Sequence, residues 1–486
     1  MNPNCLSKKL EVAIVGFFLF AAGCTVGPNY QKPDLPVPLM WNEAQQKGVQ
    51  VRPTELTYWW TSFNDPLLNS LIERAVRSNL DLRIAEGRIR EARATRVLAA
   101  SAAWPTVDVS SSYSRNHASA NAIGSPTQNG GAVAVAPSGA TLEQNFYQTG
   151  FDASWEIDVF GGIRRSVEAA DATLQATVED QRDVLVSLLG EVAKNYIDLR
   201  GFQRRLDVTR DNLKAQLETL ELTEVRFHAG LASDLDVAQQ EAQAHSTAAQ
   251  IPTLETSLKQ AAYNLDVLLG SQPGSLWDEL AVEKAIPTLP PEVLVELPAE
   301  LLRQRPDIRR AERQLAAATA QVGVATADLY PKFSLVGNVG LQSVSASDWF
   351  TGRSRFWSIG PTVTWPVFDA GRIRANIEIR NAQQEQALGV YEKTVLTAFQ
   401  DVEVSLVAYA KEQERSRSLV TAVAANQRAL AMANELYIRG LSDFLNVLET
   451  QRALSLSEND LAQSQAAMAS NLVSLYKALG GGWQVP

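Results

Sequence analysis

Few residues of this 486-residue chain have the type and spacing for bond-making chemistry. Its three histidines, His117, His228 and His245, fall in a loop, near a helix end and on a helix, far apart in sequence. No H-E-x-x-H pair, phosphate-cradling glycine loop or dinucleotide fingerprint accompanies them. Neither a metal site nor an enzymatic activity is expected. Asp234 and Asp236 are close together, but at a helix start, where acidic side chains favour the dipole. What remains is reversible charge pairing. Asp198-Leu199-Arg200-Gly201-Phe202-Gln203-Arg204-Arg205 and Tyr409-Ala410-Lys411-Glu412-Gln413-Glu414-Arg415 each mix opposite charges with one aromatic. Exposed pairs contribute only about 0.2–1 kcal/mol each, a scale suited to contacts that are made and broken.

Both cysteines, Cys5 and Cys24, lie in the first 24 residues. A disulfide framework, a thiolate metal site and a cysteine nucleophile are thereby excluded from the body of the protein. Lys8 and Lys9 precede a 12-residue apolar run from Val12 to Gly23, too short for a bilayer span of about 20 residues. The run ends in Phe20-Ala21-Ala22-Gly23-Cys24. Small residues directly before a cysteine resemble a bacterial lipoprotein box, with Ala21 where leucine is usual. The reading is a signal peptide over 1–23 and a lipid-bearing Cys24, whose acyl chains contribute roughly 0.8 kcal/mol per buried CH₂. A net charge of −10 argues against nucleic acid as a partner. The 45% apolar content predicts a folded chain. No other stretch approaches the length of a membrane helix, so any crossing must be made by β-strands.

The elements that must position these residues come in two copies. Asp81-Leu82-Arg83-Ile84-Ala85-Glu86 aligns with Asp307-Ile308-Arg309-Arg310-Ala311-Glu312 at an offset of 226, which also pairs Trp104 with Tyr330 and Pro105 with Pro331. Beyond these the offset becomes 210, pairing Trp155 with Trp365, Gly161 with Gly371, Gly230-Leu231 with Gly440-Leu441 and Leu269-Gly270 with Leu479-Gly480. The 16 additional residues of the first copy lie in the low-complexity stretch His117 to Ala140, an exposed loop tip. The organisation read from this is a signal peptide (1–23), an extended N-terminal segment (24–69), a first repeat (70–270), a Pro-rich linker (271–298), a second repeat (299–480) and a short tail (481–486).

Each copy opens with a helix, Ser70 to Ala103 and Ala299 to Leu329, stopped by Pro105 and Pro331. Two strands follow in each, at about 105–160 and 331–368. Phe151, Ala153, Trp155 and Ile157 alternate with Asp152, Ser154, Glu156 and Asp158, and Ile359, Pro361, Val363 and Trp365 alternate with Ser358, Gly360, Thr362 and Thr364. Period-two alternation puts one face in an apolar medium and the other in a polar one, and lengths near ten residues suit a tilted transmembrane strand. Long helices come next. Gly162 to Arg200 spans 39 residues, and the chain is expected to reverse after Gly201 and run back to Gly230. Gly230-Leu231-Ala232-Ser233 and Gly440-Leu441-Ser442-Asp443 place a glycine before N-cap residues and predict helix breaks.

Four strands per chain cannot close a barrel, and an open edge in lipid leaves backbone groups unsatisfied. Two chains would give eight strands, whose interior side chains fill, and three give twelve, leaving room for a pore.

Four motifs carry a family resemblance: Cys24-Thr25-Val26-Gly27-Pro28-Asn29-Tyr30, Trp59-Trp60-Thr61-Ser62-Phe63-Asn64-Asp65-Pro66-Leu67-Leu68, Arg303-Gln304-Arg305-Pro306-Asp307-Ile308-Arg309 and Tyr476-Lys477-Ala478-Leu479-Gly480-Gly481-Gly482-Trp483. On these the chain resembles the TolC-like outer membrane factors of RND tripartite efflux pumps, in their NodT-type lipoprotein branch. The resemblance implies an α+β membrane protein: a homotrimer with a 12-stranded outer-membrane barrel continuing into a long periplasmic α-helical barrel. It implies a passive exit duct for antibiotics and other toxic small molecules, a periplasmic adaptor and an inner-membrane RND transporter as partners, and no cofactor beyond the lipid on Cys24. It also implies a gate at the periplasmic helix tips. With reversals expected near Gly201 and Lys411, the candidates are Asp198, Glu412 and Glu414 as acceptors, Arg205 and Arg415 as donors, and Tyr409, pairing between neighbouring helices. A duct of the same build for protein export, and a periplasmic coiled-coil structural lipoprotein, stand as alternatives.

Overall fold

The computed structural model describes residues 25–43, 49–51, 56–117, 143–289, 293–295 and 298–484. Cys24 and the expected loop tip beyond His117 lie outside these residues. No described helix is long and apolar enough to cross a membrane.

The expected opening helix is two helices, α1 (Pro66–Ser78) and α2 (Leu80–Ser101). Asp65 caps the first, accepting from Leu67 and Leu68 N–H at 2.9 and 3.2 Å, with Pro66 at the position where a missing N–H costs nothing. Asn79 makes the break: its side chain accepts from Asp81 and Leu82 N–H at 2.9 and 3.0 Å, restarting the helix as it ends. The second copy breaks at Arg305, where Pro306 bars the preceding residue from helical conformation. It yields α7 (Pro298–Gln304) and α8 (Pro306–Ala327). The other helices are α3 (Gly162–His228), α4 (Asp234–Ala248), α5 (Gln250–Leu268), the short α6 (Trp277–Leu280), α9 (Arg372–Ile438) and α10 (Phe444–Ala478). Both α3 and α9 have 67 residues, about 100 Å at 1.5 Å per residue.

Strand β1 (Val49–Val51) pairs in parallel with β4 (Val293–Val295), inside the segment expected to be a linker. The other four strands form an antiparallel sheet in the order β2 (Thr106–His117), β3 (Glu143–Ile157), β5 (Lys332–Ser343) and β6 (Arg355–Thr364). The duplication holds to the single residue within it. Offsets of 226 and 210 carry the β2–β3 pair Thr106↔Ser154 onto Lys332↔Thr364, which is the β5–β6 pairing found.

The chain divides into two compact units. One contains this sheet, residues 25–31 and the helix ends that adjoin the strands. The other comprises residues 32–91, 175–313 and 388–486; its strands among the described residues are β1 and β4, and the rest of its regular structure is helical. Its core includes the fully buried Phe63, Leu71, Leu189, Tyr196 and Leu265.

Candidate functional site

The sheet has two chemically distinct faces. Register places Val107, Val109, Tyr113, Phe151, Trp155, Phe333, Leu335, Val339, Trp357, Ile359 and Val363 on one side. Val109, Phe151, Val339, Trp357 and Ile359 are more than half exposed in the single chain. The other side presents Asp108, Ser110, Ser112, Gln148, Asp152, Glu156, Asn338, Gln342, Ser358 and Thr362, with Phe146, Val336 and Phe356 as exceptions. Asp108 lies directly opposite Asp152, which accepts from the Ser110 hydroxyl at 2.7 Å. An apolar face this large, with no layer over it among the described residues, fits a hydrocarbon solvent; the polar face fits water.

The helix reversals expected at Gly201 and Lys411 do not occur, because α3 and α9 run through both positions. Gly201 has a different purpose. A β-carbon there would lie 2.7 Å from the Ala466 β-carbon of α10, so glycine permits two helices to approach closely. The six gate candidates consequently sit in mid-helix, not at a tip. Arg415 pairs with Glu412 at 3.2 Å and Lys411 with Glu414 at 3.1 Å, each along one helix at i,i+3 spacing and not between neighbours. Glu412 also accepts from the Ser464 hydroxyl of α10 at 2.5 Å. Tyr409 is buried, which pushes its phenol pKa up. Asp198 is half-buried, and desolvation raises its carboxyl above the usual range against the opposing charge of Lys194. Arg205 keeps a buried Nε without a partner among the described residues.

The chain turns at the two Gly-Leu sequences instead. Gly230 and Gly440 take φ of 70° and 73°, the left-handed region that glycine enters without strain. Leu231 N–H reaches back to the Arg226 carbonyl at 2.8 Å and Leu441 N–H to Leu436 at 2.9 Å, the same helix-ending bond in each copy. Ser233 and Asp236 then form a reciprocal capping box that starts α4. Beneath the turns Tyr437 packs on Phe444, Val447 and Leu448, with the Arg226 guanidinium 4.5 Å from the Tyr437 ring centre. Leu231 and Leu441 remain 66% and 71% exposed. His228 and His245 are exposed, and among the described residues no cluster of His, Cys, Asp and Glu could hold a metal.

The sequence motifs of the helical unit meet one another. Arg305 grips Asp307 through two bonds of 3.0 and 2.6 Å, reaches Asp401 at 3.1 Å and donates to the Ala478 carbonyl at 2.9 Å. Trp59 stacks on Tyr476 with ring centres 5.3 Å apart. Trp483 lies under both Arg182 and Arg309, at 4.7 and 5.3 Å, and Glu179 pairs with both arginines at 2.7 Å. In the sheet unit, buried Arg165 holds the N-terminal segment, donating to the Val26 carbonyl at 3.1 Å and Asn29 Oδ1 at 2.7 Å. Sequence reasoning missed Arg165: its repeat mate is Ala375, and bonds to distant carbonyls leave no periodic trace.

The family model for outer membrane efflux proteins matches residues 71–271 and again 297–481. The chain belongs to the outer membrane efflux protein family. It is 34% identical to Nodulation protein T of Rhizobium leguminosarum bv. trifolii, with 96% of each chain covered. Toluene efflux pump outer membrane protein TtgI of Pseudomonas putida is also 34% identical, over 96% of this chain and 97% of that one. Among solved structures, the outer-membrane channel OprN superposes with a TM-score of 0.86 at 36% identity, covering 95% of this chain and 100% of that chain. As a member of this family the chain is an α+β protein of the Gram-negative outer membrane, and the family is one of efflux channels.

Proposed function

We propose that this protein is the outer-membrane channel of a tripartite efflux system, a passive exit duct for toxic small molecules that assembles as a homotrimer. The observation that carries this reading is the four-stranded sheet with one apolar face, one polar face and two unpaired edges. Such a sheet cannot stand alone in lipid, while three copies supply twelve strands around a pore lined by the polar face. Its partners are a periplasmic adaptor and an inner-membrane RND transporter, and a lipid on Cys24 adds a membrane anchor. The exposed Leu231 and Leu441, presented on matching turns, offer the adaptor a repeated apolar foothold. The pump supplies energy and selects cargo; the duct's own residues bind no cofactor and break no bond.

The test pairs cells with bilayers. Deleting the gene should lower the inhibitory concentrations of antibiotics and solvents, and the purified protein should conduct ions in planar bilayers. A deletion strain with unchanged drug tolerance but impaired secretion of a protein would replace efflux by protein export.

A further inference from the structure

The end of the sheet remote from the helices carries aromatic rings and charge that a pore wall alone does not require. Residues 344–354, the loop between β5 and β6, fold onto the apolar face. The Trp349 ring lies 5.3 Å from the ring of Tyr147, which is on the same side of β3 as Phe151 and Trp155. Tyr147 is in turn 4.8 Å from Tyr113 of β2. Phe350 adds a fourth ring, 4.8 Å from Trp349, and stays 72% exposed. The loop is held in this shape by its own polar bonds: the Asp348 carbonyl accepts from the Thr351 and Ser354 hydroxyls at 2.8 and 2.6 Å. Aromatic side chains with one polar end collect at the level of lipid headgroups.

The duplication singles out the charge at this rim. In the first hairpin Arg115 of β2 is neutralised by Glu143 of β3. Under the offsets of 226 and 210 those two positions become Leu341 and Arg353 in the second hairpin. Asn145, which faces Arg115, becomes Arg355, which faces Leu341. The second copy has exchanged an internal ion pair for two arginines. Both are exposed, and neither has a carboxylate partner among the described residues. Next along the same side of β6, towards the helices, come Trp357 and Ile359, 75% and 67% exposed. Two uncompensated guanidiniums above a strip of apolar surface match a lipid with an anionic head.

We infer that this rim docks a phosphorylated glycolipid of the outer leaflet, with its phosphates on Arg353 and Arg355 and its acyl chains along Trp357 and Ile359. The guanidinium fork receives phosphate oxygens in pairs, which an ammonium cannot do, and basic pockets beside membrane-spanning segments hold lipid phosphates in this way. The leaflet follows from the strand direction: the helices of this outer-membrane protein extend into the periplasm, and the rim is at the opposite ends of the strands. The inference rests on the apolar face meeting lipid, and not on the number of protomers.

The experiment uses the full-length protein in detergent, titrated with bis-phosphorylated lipid A, with bound lipid counted by native mass spectrometry. Arg353→Gln/Arg355→Gln should weaken binding about tenfold. Lipid A stripped of its phosphates should bind the parent as weakly as the intact lipid binds that variant. Arg353→Lys/Arg355→Lys, which keeps the charge without the fork, should recover only part of the loss. Arg115→Gln, at the same rim but already neutralised by Glu143, should bind like the parent. Undiminished binding by the double Gln variant, or an equal loss from Arg115→Gln, overturns the site. Phosphatidylglycerol bound as tightly as lipid A through the same two arginines replaces the glycolipid by any anionic lipid. Conductance of the same preparations in planar bilayers separates the two readings: a conducting channel that ignores the phosphates overturns this site alone, and a preparation that never conducts overturns the duct.

Discussion

Trp155 donates its indole N–H to the carbonyl of Ala103 at 2.9 Å, and the second copy repeats the bond between Trp365 and Leu329 at 3.1 Å. Each bond ties the base of a hairpin's second strand to the turn just after the helix that precedes the hairpin. A carbonyl in the turn past a helix end has no partner within the helix, and an indole at the base of the sheet supplies one. Interfacial tryptophan suits this place, with an apolar ring towards lipid and an N–H towards the wet side. Trp155→Phe retains the ring and loses the bond. It should lower unfolding free energy by about 0.5–1.5 kcal/mol, measured by denaturant titration in lipid vesicles. Adding Trp365→Phe should roughly double the loss, since the two sites share no partner.

The two faces of the sheet should tolerate charge differently. Val339 and Asn338 are neighbours on β5 but point to opposite sides. Val339→Arg places a cation in hydrocarbon and should cost about 2–4 kcal/mol of vesicle-embedded stability near the bilayer midplane. Asn338→Arg places the same charge in a polar lumen. It should leave stability nearly unchanged while shifting ion selectivity towards anions in bilayer recordings.

Gly201 separates a contact glycine from a turn glycine. At a turn, alanine would strain a backbone held at positive φ; here its β-carbon would collide with Ala466. Gly201→Ala should destabilise the protein by about 1–3 kcal/mol, the usual cost of overpacking. Ala466→Gly in the same chain should restore most of the loss. Thermal unfolding of both variants in detergent distinguishes the two roles.

Burial holds the Asp198 pKa above its ordinary 3.8. Its charged form therefore costs folding free energy, a cost that appears as pH rises past the unfolded value and is complete above the raised folded one. Asp198→Asn should be more stable than the parent at about pH 7 and equal to it at about pH 3, where both side chains are neutral. Melting temperatures at the two pH values check the sign.

Much of this architecture is written in period and offset. Alternating residues marked the strands because one face meets lipid and the other water, and the Trp and Gly positions marked the duplication because both copies meet the same geometric demands. The turns at Gly230 and Gly440 were legible for that reason: both copies need a residue that enters positive φ. Gly201 misled because a lone glycine amid charges resembles a turn. Two signals pointed the other way. Its repeat mate is Lys411, which could not serve at a glycine turn, and no proline interrupts the chain from Ser138 to Ile251. The break at Asn79 was hidden, because a side chain that caps one helix at its neighbour's end leaves hydropathy unchanged. The expected placement of the gate candidates at a helix tip went with the turn that defined it: α3 and α9 run on through them, and Lys411–Glu414 and Glu412–Arg415 pair along one helix at i,i+3 spacing.

The stacking of Trp59 on Tyr476 and the bond from Thr57 to Gln484 at 2.7 Å, between residues 427 positions apart, join the two ends of the helical unit's described residues. The helical unit is therefore closed by contacts between segments far apart in sequence, and loosening either side of the Trp59–Tyr476 stack frees both.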